Sequence, residues 1–450
     1  MKSLTIPSKK VPLDDSWDVL VAGGGPAGCA AATAAARQGA KTLLIESTGG
    51  LGGMGTQGLV TTWAPFSDKK GTILYGGLAK RLLQATKEAM PHIPADKLDW
   101  VLFNPEQLKR VYDAMVRDAG ATILFNVLAT GVEVGGKGEV SAVLTAGKGG
   151  LKAYSAKVYV DCTGDGDIAA WGGATFEKGD PATGVMQPAS LCFLLANVNT
   201  EAYLKGRKLH PAHAESPMYD ILKSGRYPLI KDAHCCNGLL GPSVVSFNAG
   251  HVWDVDGTDP ASVSAGLIEG RKIAEQFRLA LAEFAPEAFG QAVLVAVAPS
   301  LGIRETRRIV GDYTLSIDDY LARRTFDDEI SRNNYWIDVH SARHEATTVY
   351  GQRSKEPSRF ERYGPGESHG IPYRCLTPKG LRNVLVAGRC ISCDRPVQGT
   401  IRVMPACVTT GEAAGLAAGL AAASKDRNVH DVDVRELRRL LKQHDAYLPD

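Results

Sequence analysis

Three glycines in fixed spacing, Gly23-x-Gly25-x-x-Gly28, are the first residues in the chain that can do chemistry. In such a pattern the first glycine permits a tight turn, the second lets backbone approach a pyrophosphate, and the third lets a helix pack close to a strand. The anion then rests on a helix N-terminus, where unpaired N–H groups and about half a unit of positive charge are available. Glu46 follows 18 residues after Gly28. A carboxylate there can accept both ribose hydroxyls and would repel a 2′-phosphate, which leaves FAD or NAD and disfavours NADP. A second glycine-rich run, Gly49–Thr56, comes directly after it. An NAD enzyme has no general need for a second phosphate-hugging loop, whereas a longer dinucleotide with a ribityl chain does, so FAD is expected.

Arg304, Arg307, Arg308, Arg374 and Arg402 suit binding of a carboxylate or polarisation of a carbonyl. Arg304, Arg307 and Arg308 equally suit tying two domains together, and Arg402, Arg374 and Arg304 are the catalytic candidates. His234, His251, His340 and His344 are each able to act as a general base, although a histidine in any one position is more often structural. The 9 cysteines are dispersed. Cys390 and Cys393 have C-x-x-C spacing without a second pair, and Cys235 and Cys236 are adjacent, so reduced core thiols and no metal site are expected.

The elements that must hold these residues are legible in outline. Trp17–Ala22 reads as a strand, the alanine-rich stretch to Gln38 as a helix and Lys41–Glu46 as a second strand, a βαβ unit with its glycine loop at the first turn. Asn104, Pro105 and Gln107 read as N-cap, first-turn proline and capping-box partner of a helix that ends at Gly120, with a strand over Ala121–Asn126. A β-rich stretch leads to Val158–Asp161 and the loop Thr163–Asp167. The same style returns with a strand over Asn383–Gly388 and a small-residue helix over Thr410–Ala423. The fold class is α/β: a Rossmann-type nucleotide domain with an inserted α+β substrate domain. The expected boundaries are 15–172 for the first part of the nucleotide domain, 173–375 for the substrate domain, 376–425 for the return segment and 426–450 for a C-terminal helix and tail.

Composition narrows the partners. The chain has 450 residues with 51 basic and 49 acidic side chains, so no field of one sign extends over it to recruit nucleic acid or an anionic membrane. A small-molecule substrate is expected. Met1–Pro7 carries no apolar run, no segment reads as a membrane span of ~20 apolar residues, and a cytoplasmic protein is expected. Glu412 and the short run argue that the alanines near the C-terminus pack on a sheet.

Ala22–Gly28, Glu46, Gly49–Thr56, Asp161–Asp167, Gly302–Arg308, Gly370–Arg374, Ala387–Arg389 and Ile401–Pro405 together resemble the FAD-dependent oxidoreductases of glutathione-reductase-like fold. The resemblance extends more distantly to fumarate reductase flavoproteins and thiazole-forming enzymes. It implies a hydride transfer between a small molecule and FAD. It also implies a cofactor site built from Gly23, Gly25, Pro26, Ala27, Gly28, Glu46, Ser47, Gly52, Gly53, Met54 and Thr56. By the same resemblance Val127 supplies backbone contacts to adenine, Thr163 and Gly164 close over the diphosphate, and Gly388 and Arg389 meet the ribityl chain. Val403 and Met404 then lie at the flavin, with the following helix aiming its N-terminus at the pyrimidine end, where reduced flavin gathers negative charge. Gly52–Gly58 has no histidine or cysteine, so the flavin is expected to be non-covalent. Cys393 and Asp394 depart from the pattern and receive no role. Two alternatives stay open: a non-redox enzyme of this fold that consumes its dinucleotide, and a flavin-bearing subunit that relays electrons to a partner.

Overall fold

Val19–Ala22 is apolar on both faces, the signature of a strand buried in the middle of a parallel sheet. The structure, a computed structural model, describes residues 10–340 and 362–449. Strand β1 (Leu13–Ala22) pairs in parallel with β2 (Thr42–Glu46) on one side and with the strand Gly150–Asp161 on the other. Thr122–Phe125 adds in parallel outside β2, and Val384–Val386 adds in parallel along Tyr159–Asp161. The hairpin Leu128–Val134 and Val140–Gly147 pairs antiparallel with the earlier half of Gly150–Asp161. The return segment thus completes the sheet begun by the N-terminal βαβ unit, and the strand ends that carry Gly23, Glu46 and Asp161 open on one edge.

Helix α1 (Pro26–Arg37) follows β1 after the glycine turn. It packs along the helix Met404–Ala423, which begins six residues before the expected start at Thr410. The contact is backbone-close: a Cβ on Gly411 would lie 2.2 Å from the Ala27 carbonyl oxygen, and one on Gly415 2.2 Å from that of Ala31. The small-residue run therefore serves helix-on-helix packing. At 20 residues this helix is long and apolar enough to cross a membrane, so shortness does not argue against a span; its burial does, since 83% of that stretch lies inside the protein. Glu412 on it is buried and accepts the Leu78 N–H at 2.9 Å, and burial pushes its carboxyl up to about 7.

A second sheet is antiparallel, in the order Cys235–Gly241, Val244–Ala249, Phe193–Ala196, Val293–Val297. Phe193 stacks on Phe247 at 4.9 Å and meets Phe277 of the helix Pro260–Phe284, giving this sheet its own core. That core runs from Ala189 to Leu301 and takes in Leu59. Ile309, Ile330, Ile371 and Tyr373, grouped by sequence with the substrate segment up to 375, instead pack into the core of the first sheet. The reason is pairing: Glu329–Asn333 joins His369–Pro372, and Ser331 donates to Thr409 of the long helix at 2.8 Å.

The expected helix after Asn104 is Pro105–Asp118, with the Asn104 side chain accepting from Glu106 and Gln107 N–H groups. Gln107 does not close a capping box; its side-chain oxygen accepts from Arg110. The C-terminal helix is Val434–Gln443, capped by Asp433.

Candidate active site

The three glycines of the first loop sit in three different environments. A Cβ on Gly23, whose φ is +93°, would lie 2.5 Å from the Cys162 carbonyl oxygen, so the turn requires glycine. A Cβ on Gly28 would lie 1.8 Å from the Gly23 carbonyl oxygen, so the helix can approach the strand only there without a side chain. A Cβ on Gly25 would meet nothing within 4 Å. Gly25 faces a cavity of about 1900 Å³ that is also lined by Gly23, Pro26, Ala27, Glu46, Ser47 and Val127. Helix α1 opens on Gly25 with no side-chain cap and no acidic residue in its first turn, so its N-terminal N–H groups are left for a ligand.

Glu46 is buried, and its two oxygens accept the N–H groups of Gly24 at 2.6 Å and Thr48 at 2.7 Å. A carboxylate keeps further lone pairs after those two bonds, and this one still lines the cavity. In the second glycine run, Gly53 and Met54 line the cavity. Gly52 and Thr56 do not: Gly52 turns at φ +101° against Tyr112 and Thr56, and Thr56 donates to the Leu51 carbonyl at 2.6 Å. They shape the loop from behind. Val127 spends its N–H on the Glu46 carbonyl at 3.0 Å, leaving its carbonyl for the backbone contact expected there.

Further along, Thr163, Gly164, Gly388, Arg389, Val403 and Met404 line the same cavity. Thr163 is held by Asp161, a buried carboxyl pushed up to about 6 by desolvation and by Asp167. The Arg389 guanidinium lies over Gly164, where a Cβ would be 2.8 Å away, and pairs with Asp165 at 2.8 Å. The helix Met404–Ala423 opens on Val403, also without a side-chain cap. Elsewhere Asn104, Asn199, Ser216, Asp259 and Asp394 cap their helices with side chains. The two long helices that begin at the cavity are left bare.

The far end of the cavity holds Arg304, Arg402, His234 and His340. Arg402 reaches the Asp338 backbone oxygen at 2.8 Å and its carboxylate at 3.1 Å, and its buried Nε finds no partner among the described residues. Arg304 donates to the Pro188 carbonyl at 2.7 Å and to Ser190 Oγ at 3.0 Å. Burial and the neighbouring Arg402 bring its guanidinium down to about 10. His251 stands behind, hydrogen-bonded to both Asp232 and His340 at 2.8 Å. His344 lies outside the described residues. The side walls include Trp100, Tyr335 and Trp336, with the last two stacked at 4.2 Å.

Asp232, Asp338 and this aromatic wall are residues that sequence reasoning missed. Asp232 lies 19 positions from His251 and 108 from His340, so no short spacing could reveal them together. Asp232-x-His234 and Asp338-x-His340 are the local signals available.

One expectation is corrected by position. Arg374 lies away from the cavity: half-exposed, it pairs with Asp328 at 2.9 Å and stacks over Tyr313. Arg307 binds Asp167 at 2.6 Å, and buried Arg308 donates to the Gly179 carbonyl at 3.1 Å, so both tie segments together, one of the two readings open for them. Asp394, unassigned from sequence, caps the helix Arg395–Ile401 and accepts the Ile317 N–H at 2.6 Å. No cysteine is disulfide-bonded, and burial pushes the Cys390 and Cys393 thiols up, which leaves them inert.

The donor set fits FAD. Open space stands where a Gly25 side chain would be, two uncapped helix N-termini and Arg389 offer positive potential, and the cavity exceeds the several hundred Å³ of an ordinary small-ligand pocket. Among solved structures the chain is similar to a geranylgeranyl bacteriochlorophyll reductase-like protein from Thermoplasma acidophilum, at 13% identity over 96% of this chain and 85% of that one, TM-score 0.47. It is also similar to p-nitrophenol 4-monooxygenase from Pseudomonas putida, at 11% identity over 95% and 86%, TM-score 0.48. A third is a myxobacterial FAD-dependent chondrochloren halogenase, at 12% identity over 96% and 79%, TM-score 0.45. The family model described as FAD dependent oxidoreductase matches residues 18–441, nearly the whole chain, and the protein belongs to that family.

Proposed function

We propose that this FAD-dependent enzyme exchanges a hydride with a small substrate that carries a carboxylate next to an alcohol or amine carbon. Arg304 carries the reading. It is a buried cation facing the cavity, and the two groups it donates to, a carbonyl and a hydroxyl, are neutral. The anion whose field reaches it, Asp338, is hydrogen-bonded to Arg402 and not to Arg304; a substrate carboxylate would give this desolvated guanidinium a direct partner in the fork geometry that arginine prefers. Arg402, the residue just before the N-cap of the uncapped helix Met404–Ala423, is the second cationic contact.

Bound FAD supplies the acceptor for the hydride and its two electrons. The chain's own residues do the rest: Arg304 and Arg402 orient the anion, Trp100, Tyr335 and Trp336 exclude water, and a cavity histidine takes the proton that leaves the alcohol or amine.

The flavin should be held without a covalent bond, since Met54 and Gln57 of Gly52–Gly58 reach the cavity and neither can attach it. Acid precipitation is expected to release all colour to the supernatant; colour retained in the pellet would contradict this. Anaerobic mixing with a panel of 2-hydroxy and 2-amino carboxylates tests the reaction. At least one member should bleach the protein, and its uncharged amide should act roughly 10 to 10² times more slowly, the cost of leaving a charged hydrogen-bond donor unpaired. Bleaching by neutral alcohols and by no carboxylate would sink the proposal.

A further inference from the structure

Two buried side chains behind the cavity and a third at its wall form a directed chain. Asp232 accepts the His234 backbone N–H at 2.8 Å through one oxygen and contacts His251 Nδ1 at 2.8 Å through the other. His251 Nε2 contacts His340 Nδ1 at 2.8 Å. His340 alone of these three lines the cavity.

The order of donors follows from Asp232. An ionised carboxylate can only accept, so His251 carries its proton on Nδ1 and presents a bare Nε2. His340 must then donate from Nδ1, which leaves its own Nε2 bare. Resting on the proposed hydride exchange, we infer that His340 Nε2 is the proton acceptor for the substrate alcohol or amine, and that Asp232 and His251 are positioning residues that hold it in that tautomer.

The surrounding charges make the relay necessary. His340 is buried and beside Arg304, which together bring its imidazole down to about 3, so a charge left on His340 alone is unfavourable. Arg402 adds to the positive field. A hydrogen-bonded chain relieves this. As the substrate O–H or N–H proton arrives at His340 Nε2, the Nδ1 proton of His340 passes to His251 Nε2, and the positive charge moves to the ring that touches Asp232. The substrate's C–H pair leaves as hydride in the same reaction, so one proton and one hydride account for both hydrogens lost. Asp338 stands 3.7 Å from His340 Nε2, too far for a hydrogen bond at rest but close enough to stabilise the proton on arrival. Burial works against the charge on Asp338, yet His340, Arg402 and Arg304 hold its carboxyl well below the usual range. His234 stacks on His251 at 4.4 Å, and burial together with His251 keeps it neutral, with Cys236 Sγ 3.9 Å from its Nε2.

Nitrogens of His234, His251 and His340 lie within 4.8 Å of one another, a spacing that a metal ion also uses. Two of them already bond to each other, and two arginines share the cavity, which favours the relay.

Nitrogen NMR of the flavin-loaded protein labelled in histidine tests this without a substrate. His340 and His251 should each show a protonated Nδ1 and a bare Nε2, and Asp232→Asn, whose amide can donate to His251, should move both protons to Nε2. With the carboxylate that bleaches the protein fastest, Asp232→Asn should retain its flavin and slow bleaching about 10²–10⁴-fold, the contribution of a general base. His251→Gln should slow it as well, while Asp232→Glu, which keeps an acceptor, should recover part of the loss. A wild-type His340 protonated on Nε2, tautomers unmoved in Asp232→Asn, or one tightly bound transition metal ion per purified chain would each overturn the inference. Correct tautomers in a protein that no panel member bleaches would instead refute the proposed substrate class.

Discussion

Gly25→Val is expected to fold normally and to purify without colour. Gly25 has φ −72° and ψ −174°, a conformation open to any residue, and a Cβ there meets no protein atom within 4 Å. Nothing in the fold therefore resists the valine. The space its methyl groups enter is the approach to the bare N-terminus of α1, where a pyrophosphate must come close to backbone N–H groups. Overpacking that approach should cost about 3 kcal/mol, roughly a hundredfold in FAD affinity. Gly28→Val makes the control, because its Cβ would lie 1.8 Å from the Gly23 carbonyl oxygen and must displace the helix itself. That variant should lose folded protein as well as flavin. Normal flavin content in Gly25→Val, measured by the visible spectrum against protein concentration, would contradict the placement of the phosphate.

The second large effect is expected at Arg402. Arg402→Ala should keep its FAD yet bleach about 10²–10³-fold more slowly with the best carboxylate, a loss of ~2–4 kcal/mol in transition-state stabilisation. Its Nε is buried without a partner among the described residues, while its Nη2 reaches Asp338. An arginine whose whole task was to hold Asp338 would show a different result: lower melting temperature and intact bleaching per flavin. Arg402→Lys keeps the charge but loses the planar fork and should fall well short of the wild-type rate.

The nucleotide end of the site was legible because its chemistry is local. A tight turn, an anion on a helix start and a ribose contact at the end of the next strand all fall within residues 23–46, and each demands a residue type at a set distance along the chain. The Gly388–Met404 segment was legible only through resemblance, since its helix begins with Val403, Met404 and Pro405 and carries no capping residue to announce it. The substrate end was not legible in the same way. Asp232, His251 and His340 meet because the strands Cys235–Gly241 and Val244–Ala249 fold back on one another and the segment at His340 is hung from Gln187, whose side-chain oxygen accepts the His340 N–H at 3.1 Å. Such contacts depend on tertiary closure, which residue spacing does not record. Arg374 failed for the converse reason: it sits in a motif-like run, but the tight turn Tyr373–Cys375 after the strand delivers it to Asp328 on the outside.

The most direct test of hydride exchange is the anaerobic bleaching rate with the best carboxylate, measured against the same compound deuterated at the alcohol or amine carbon. If a C–H bond breaks as hydride leaves beside Arg304 and Arg402, the deuterated compound should bleach the protein distinctly more slowly while FAD content and binding stay the same. Absence of bleaching by either compound, with full FAD occupancy and every panel member tried, would contradict the account.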